Sequence, residues 1–169
     1  MTRFLSKVLF GSLLAVLLLW VLASLAVLPR YATRGADNPV TDTPRSVGLN
    51  YRDITVDSEG LALPGWWMPA REPVANLLFV HGAGSNRTSS FIDSLNLYKA
   101  FVDRGISVLT IDLRNHGNAP KTDGHLTMGL KEAADVLAMS RWLDEHTDPA
   151  LPRVAMGASM GGATVIHAL

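Results

Sequence analysis

Apolar positions in this chain fall into three regimes. From Val8 to Leu28 the stretch VLFGSLLAVLLLWVLASLAVL contains no charged residue. From Pro29 to Ser46, PRYATRGADNPVTDTPRS, no periodicity is visible. Beyond Tyr51, short apolar runs alternate with longer stretches in which apolar residues recur at helical spacing. YRDITV (51–56) alternates and LALPGWWM (61–68) forms a second run broken by Pro64 and Gly65, with Ser58-Glu59-Gly60 as the turn between them. ANLLFV (75–80), ISVLTID (106–112) and RVAM (153–156) are the nearly unbroken apolar runs expected of strands covered on both faces. Between them, Phe91, Leu95, Tyr98 and Val102 recur at helical spacing and Gly105 closes the segment. Met128 to Glu145 is a second predicted helix, with Leu130, Ala134, Leu137, Arg141 and Trp142 along one side and Thr127 as its N-cap. Strands and helices alternating in this way predict βαβ units in a three-layer α/β domain with a mostly parallel sheet. Trp66 and Trp67 adjoin on one strand, so they point to opposite faces and are expected to pack rather than to meet substrate.

The N-terminal run is long enough to cross a bilayer, which takes about 20 apolar residues as a helix. Arg3 and Lys7 precede it, and Pro29 and Arg30 stop it. A cleaved signal peptide competes, with Ser24-Leu25-Ala26 as a cleavage site, but the apolar part of such peptides usually runs to about 15 residues. The division expected is a membrane anchor or long signal peptide over 1–28, a linker over 29–48, and the α/β domain over 49–169. Basic residues flank the apolar run on both sides, Arg30, Arg34 and Arg45 opposing Arg3 and Lys7, so the positive-inside bias is nearly balanced. A first apolar segment so near the N-terminus most simply leaves the remainder outside the cytoplasm, giving a single-pass protein with a periplasmic or otherwise extracytoplasmic domain.

Composition narrows the chemistry. The 169 residues hold 15 basic and 15 acidic side chains, so there is no basic surplus to meet nucleic acid. There is no cysteine, which excludes disulfides, thiolate zinc sites and thiol nucleophiles. No phosphate-binding Walker loop or complete dinucleotide fingerprint appears, and His116 and His125 lack a matching second pair for a metal, so no cofactor or metal is expected. Asn86-Arg87-Thr88 fits the glycosylation acceptor pattern, a weak three-residue signal.

Ligands of open α/β sheets bind beyond the carboxyl ends of the strands. Three unusual stretches fall there: HGAGSN after the first buried strand, DLRNHGNAP after the second, GASMGG after the third. Gly157-Ala158-Ser159-Met160-Gly161 fits G-x-S-x-G between a predicted strand and a predicted helix, the setting in which a tight bend lifts a serine hydroxyl clear of the sheet. Only tiny neighbours fit beside such a bend, hence Gly157 and Gly161; a glycine-rich turn that merely packs tightly is the competing account. Acyl transfer to Ser159 puts charge on a carbonyl oxygen, which two backbone N–H groups must meet. The expected donors are Met160, following the nucleophile, and Ala83, in the loop where Gly82 and Gly84 let backbone approach substrate. His81 is expected to hold that loop and not to act as the base.

With these motifs in place, the region from about Tyr51 to Leu169 resembles the N-terminal half of an α/β-hydrolase. HGAG with SMGG is similar to monoglyceride-lipase-like and serine-aminopeptidase-like members, and TMGLKEAADVLAMSRWL resembles their helix before the serine. The resemblance implies that Ser159 attacks an acyl carbonyl, that Ala83 and Met160 supply the oxyanion donors, and that Asp112, Arg114, His116 and Gly117 shape a loop. It implies a small-molecule, lipid or peptide acyl substrate and no cofactor. The family's triad runs serine, acid, histidine. After Ser159 there is no acid, and His167, the one histidine, falls about 12 Å further along the same predicted helix. The expectation is therefore a sheet cut off after the serine turn, with Met156 ending on an open edge, and a chain inactive by itself. A non-catalytic anchored module that binds at the same edge is the alternative.

Overall fold

In the computed structural model, which describes residues 2–169, the apolar N-terminal run forms one 25-residue helix, α1 (Thr2–Ala26). A short helix, α2 (Leu28–Ala32), follows, with Pro29 in its first turn, where the missing N–H has no helical partner to lose. The span Arg3–Ala32 is long and apolar enough to cross a membrane, its most apolar 18-residue window having a mean hydropathy of 2.6. These residues belong to a first compact unit ending at Arg34, and Gly35–Leu169 form a second.

The second unit is built on a five-stranded sheet of β1 (Arg52–Ser58), β2 (Leu61–Met68), β3 (Ala75–Val80), β4 (Ile106–Ile111) and β5 (Arg153–Gly157), in the order β1-β2-β4-β3-β5. β4, β3 and β5 run parallel, whereas β1–β2 and β2–β4 are antiparallel. The sheet is thus mixed, a correction to the mostly parallel sheet expected. Glu59 (φ 54°) and Gly60 (φ 81°) both turn left-handed, which folds β2 tightly back on β1. β2 looked like the other strands in sequence because it too is covered on both faces: Trp66 and Trp67 are both buried.

Two cores sandwich the sheet. On one face Trp66, Met68, Leu77, Phe79 and Val108 meet Tyr98 of α3 (Ser94–Val102). On the other, Trp67, Leu78, Val80, Leu109 and Ile111 meet Val136, Met139 and Leu143 of α4 (Ala133–His146) and Met160 of α5 (Met160–Ala168). Strand alternation therefore sends Trp66 and Trp67 into different cores, and helices cover both faces.

Three boundaries differ from the sequence pattern. α3 begins at Ser94, not Phe91, because Phe91 lies exposed in a 3-10 turn and Asp93 (φ 48°) turns left-handed before the helix. α4 begins at Ala133, not Met128, because Met128 (φ 54°) and Gly129 (φ 108°) leave the helical region. The buried Glu132 carboxylate accepts from Thr127 N, Thr127 Oγ1 and Gly129 N at 3.0, 2.6 and 2.9 Å and fixes that turn. Residues 35–48 belong to the second unit instead of standing clear of it as a linker. Gly35 N donates to Gly124 O at 2.7 Å, a 3-10 turn spans Pro44–Val47, and Val40 and Val47 pack on the core around Trp66. Single apolar residues, backbone hydrogen bonds and the side chains of Asn86 and Asn118 hold this arm, so it has no repeating apolar face to find in sequence.

Candidate active site

β5 ends at Gly157 and α5 begins at Met160, leaving Ala158 and Ser159 to turn the chain. Ser159 has φ 52° and ψ −120°, a region that costs a residue with a Cβ about 1–3 kcal/mol. Close packing enforces the bend. A Cβ on Gly161 would overlap the carbonyls of Val80 and His81, and one on Gly157 would overlap the backbone of Gly161 and Gly162. Ser159 stands at the N-cap of α5, where a serine hydroxyl ordinarily accepts from the first helical turn, yet it makes no capping hydrogen bond. The side chain is exposed and lines a cavity of about 580 Å³.

The loop after β3 abuts this bend. Ala158 N donates to Val80 O at 3.0 Å. A Cβ on Gly82 would lie 3.1 Å from Ala158 O and 3.3 Å from Ser159 Cβ, so only glycine brings the backbone this close without displacement. Gly84 has φ 67°, a second position suited to glycine. Among the described residues, neither Ala83 N nor Met160 N donates to a backbone carbonyl. The loop's glycines and Ala83 line the cavity beside Ser159, while Met160 is buried at the start of α5.

His81 is fully buried behind this loop. Its Nε2 faces the Leu113 N–H at 3.1 Å and so must accept, which places the proton on Nδ1, 2.9 Å from Gly82 O. Burial, assisted by nearby His116, lowers its pKa from 6.5 to about 3. Both ring nitrogens are engaged, and the imidazole has no lone pair left for a serine proton. His167, on α5, sits next to Gly129 in the turn before α4.

The loop after β4 ties the site together. The buried Asp112 carboxylate accepts from Arg87 N at 2.8 Å, Arg87 Nη1 at 2.9 Å and Asn118 N at 2.8 Å. Burial raises its pKa despite Arg87 and these donors. Gly117 (φ 47°) lies so near that a Cβ there would overlap the carboxylate. Arg87 also stacks over Trp66, 4.6 Å from the ring centroid. Arg114 binds Asp135 at 2.7 Å and Ser58 at 3.2 Å, both buried, which joins this loop to α4 and the β1–β2 hairpin. The His116 ring meets His81 edge-on at 4.9 Å, and its buried Nε2 has no hydrogen-bond partner among the described residues.

Arg87 was not singled out in sequence, because nothing local to it announces a long-range partner. Asn86, which fits the glycosylation acceptor pattern, is buried at 4 % exposure, with its amide committed to Asn38 O, Pro39 O and Thr88. No glycan can be added to that nitrogen in the folded domain. Among the described residues no three acidic or histidine side chains gather as a metal site.

Residues 71–169, more than half the chain, match the family model described as serine aminopeptidase, S33. No curated protein matches. Among solved structures, the chain is similar to the esterase Pf2001 of Pyrococcus furiosus, with TM-score 0.71 and 24% identity over 81% of this chain and 50% of that one. It is also similar to the alpha/beta hydrolase GrgF of a Penicillium species (TM-score 0.63, 21% identity, 71% and 41% covered). A third likeness is to a dienelactone hydrolase of Anabaena variabilis (TM-score 0.57, 23% identity, 71% and 56% covered). At these identities the likeness establishes the fold. The chain thus spans about half the length of the first of these structures, about two fifths of the second and somewhat more than half of the third.

Proposed function

The chain belongs to the serine aminopeptidase S33 family of hydrolases, and from that premise we propose that it carries the nucleophile and oxyanion site of a serine hydrolase acting on an ester, thioester or amide. Ser159 is the nucleophile. Its Oγ attacks the substrate carbonyl, and the C–O bond that forms turns the carbonyl oxygen into an oxyanion. The amides of Ala83 and Met160 meet that charge, each worth about 2.7–4 kcal/mol in the transition state. Collapse expels the alcohol, thiol or amine with a proton, and water then releases the acid from the acyl-serine.

One observation carries the proposal. Ser159 is held at positive φ with its hydroxyl uncapped, on a cavity floor shared with the glycine loop after β3. A hydroxyl needs a base to become an effective nucleophile. His81 is excluded by its two hydrogen bonds, and His167 lies about 12 Å of helix rise from Ser159. Neither of these histidines can serve as the base, and residues 2–169 by themselves are expected not to turn over.

A fluorophosphonate probe tests this on the full-length protein from its native cells. Labelling that maps to Ser159 and vanishes in Ser159→Ala is expected. A folded protein that takes no label would leave the alternative, a non-catalytic module that binds ligand in the same cavity.

A further inference from the structure

The cavity lined by Ser159 has a wall in which the residues from the arm were announced by neither motif nor periodicity. Asn38, Pro39 and Thr41 line it, together with Phe91 and Ile92 of the 3-10 turn before α3. The first three belong to the arm that begins at Gly35. We propose that this arm is the specificity wall of the site and sets the size of the uncharged substituent that the cavity accepts. The proposal rests on Ser159 as the nucleophile.

The arm is fixed at several points and not merely draped over the cavity. The Asn86 side chain donates from Nδ2 to Asn38 O at 2.9 Å and Pro39 O at 3.3 Å. Its Oδ1 accepts from Thr88 N at 2.7 Å and Thr88 Oγ1 at 2.6 Å. One buried amide thus joins the arm to the loop that follows Ala83. Asn38 Nδ2 returns a long hydrogen bond to Gly84 O at 3.4 Å, and Val40 N reaches Asn118 Oδ1 at the same distance. Gly35 packs so closely on Asn115 that a Cβ there would lie 2.6 Å from its carbonyl oxygen. A wall tied to the loop after Ala83 through the buried Asn86 side chain and pinned again at Gly35 and Val40 cannot shift for an oversized ligand without breaking these contacts.

The lining also states what kind of group fits. Among the described residues, no acidic, basic or histidine side chain lines this cavity. Asp37 and Asp42 flank the lining residues along the arm without lining the cavity; Asp37 faces Lys121 at 3.5 Å and Asp42 accepts from Thr43 N at 2.7 Å. A free α-ammonium is held far more strongly by a carboxylate than by neutral acceptors, and the cavity walls formed here provide no carboxylate. Hydroxyls of Ser85, Ser89 and Ser90 alongside Phe91, Ile92 and Pro39 suit a neutral substituent that is partly apolar. Within the family chemistry proposed above, that favours neutral esters over peptides with a free N-terminus.

Thr41→Trp tests the wall, because Thr41 is exposed and tolerates replacement without disturbing the core. The full-length enzyme is assayed on p-nitrophenyl esters from acetate to dodecanoate, which vary the acyl side, and on acetates of increasing alkyl chain, which vary the alcohol side. In at least one series, the ratio of kcat/KM for the longest to the shortest substrate is expected to fall tenfold or more, mainly through KM. Asn86→Ala, which frees the arm, is expected to flatten that same ratio. Aminoacyl esters bearing a free ammonium are expected to be cleaved more slowly than their N-acetyl counterparts. An unmoved ratio in both series for Thr41→Trp overturns the wall, and preference for the free ammonium overturns the neutral class. In each case fluorophosphonate labelling of Ser159 shows whether the nucleophile assignment still stands.

Discussion

His81 lies one residue from Gly82 and faces away from the chemistry, because the Leu113 amide and the Gly82 carbonyl take its two nitrogens. Its pKa, near 3 when folded against an ordinary 6.5, has a measurable consequence. Between those values the unfolded chain binds a proton that the folded protein refuses, so stability rises with pH across the window and is lost as pH falls from about 6.5 to 3. The steepest contribution from one such group is about 1.4 kcal/mol per pH unit. Urea unfolding at a series of pH values should therefore give a wild-type slope steeper than that of His81→Gln over this range. Some slope should remain in the variant, because burial also lowers the pKa of His116. Equal slopes would show that the buried imidazole accepts its proton after all. At this scale the sequence was most legible where sterics dictate a residue type. Gly157 and Gly161 stand where a Cβ would collide with backbone, and a motif of small residues records that directly. Arg87 and Asn86 were illegible because their partners, Asp112 and the arm at Asn38, are distant in sequence and set by the fold.

Among the elements, β3, β4 and β5 follow the apolar runs to within a residue or two; β3 and β4 are buried on both faces and so must be apolar almost throughout, whereas β5 stands at the sheet edge and is exposed from Arg153 to Met156, a correction to the covered strand expected there. The start of α4 did not follow, and the reason is specific. Apolar periodicity continues through Met128 and Leu130, but three donors converge on Glu132 and hold residues 127–129 in a non-helical turn. Burial disfavours the charged form of Glu132, and hydrogen bonds from Thr127 and Gly129 more than compensate, holding its pKa below the usual glutamate value. Glu132→Ala leaves those donors without their acceptor and should cost about 2–3 kcal/mol of unfolding free energy. Lys131→Ala, one residue away, removes only the bridge to Asp123, where both side chains are about half exposed, and should cost under about 0.5 kcal/mol. Denaturant midpoints of the two variants compare the costs directly. Similar losses would mean that the turn is held by surface charge and not by the buried carboxylate.

For the whole molecule, α1 poses a problem of solvation that α3 to α5 do not. Phe10, Leu13 and Leu25 are each 70% or more exposed, and no part of the most apolar window of the Arg3–Ala32 span is buried. Leaving a Leu or Phe side chain in water forgoes about 1.5–3 kcal/mol relative to burying it, so a helix of this composition needs an apolar surrounding. At 1.5 Å per residue α1 is about 37 Å long, more than the ~30 Å hydrocarbon core of a bilayer. A membrane anchor and a signal peptide both meet these requirements, and they differ in what becomes of the bond after Ala26. An anchor predicts that the full-length protein stays in the pellet after alkaline carbonate washing, with residues N-terminal to Val27 still attached on sequencing. A signal peptide predicts a soluble product that begins near Val27. Paired substitutions at Leu14 and Leu18 to Arg sharpen the comparison, because they lie on one face near the middle of the run and each adds about 2.5–3.5 kcal/mol to insertion. Under the anchor reading they should move the uncleaved protein out of the membrane fraction. If wild type appears as a shortened soluble form beginning near Val27 and the variant as the uncleaved precursor, the helix is an export signal and Gly35–Leu169 are released from the bilayer.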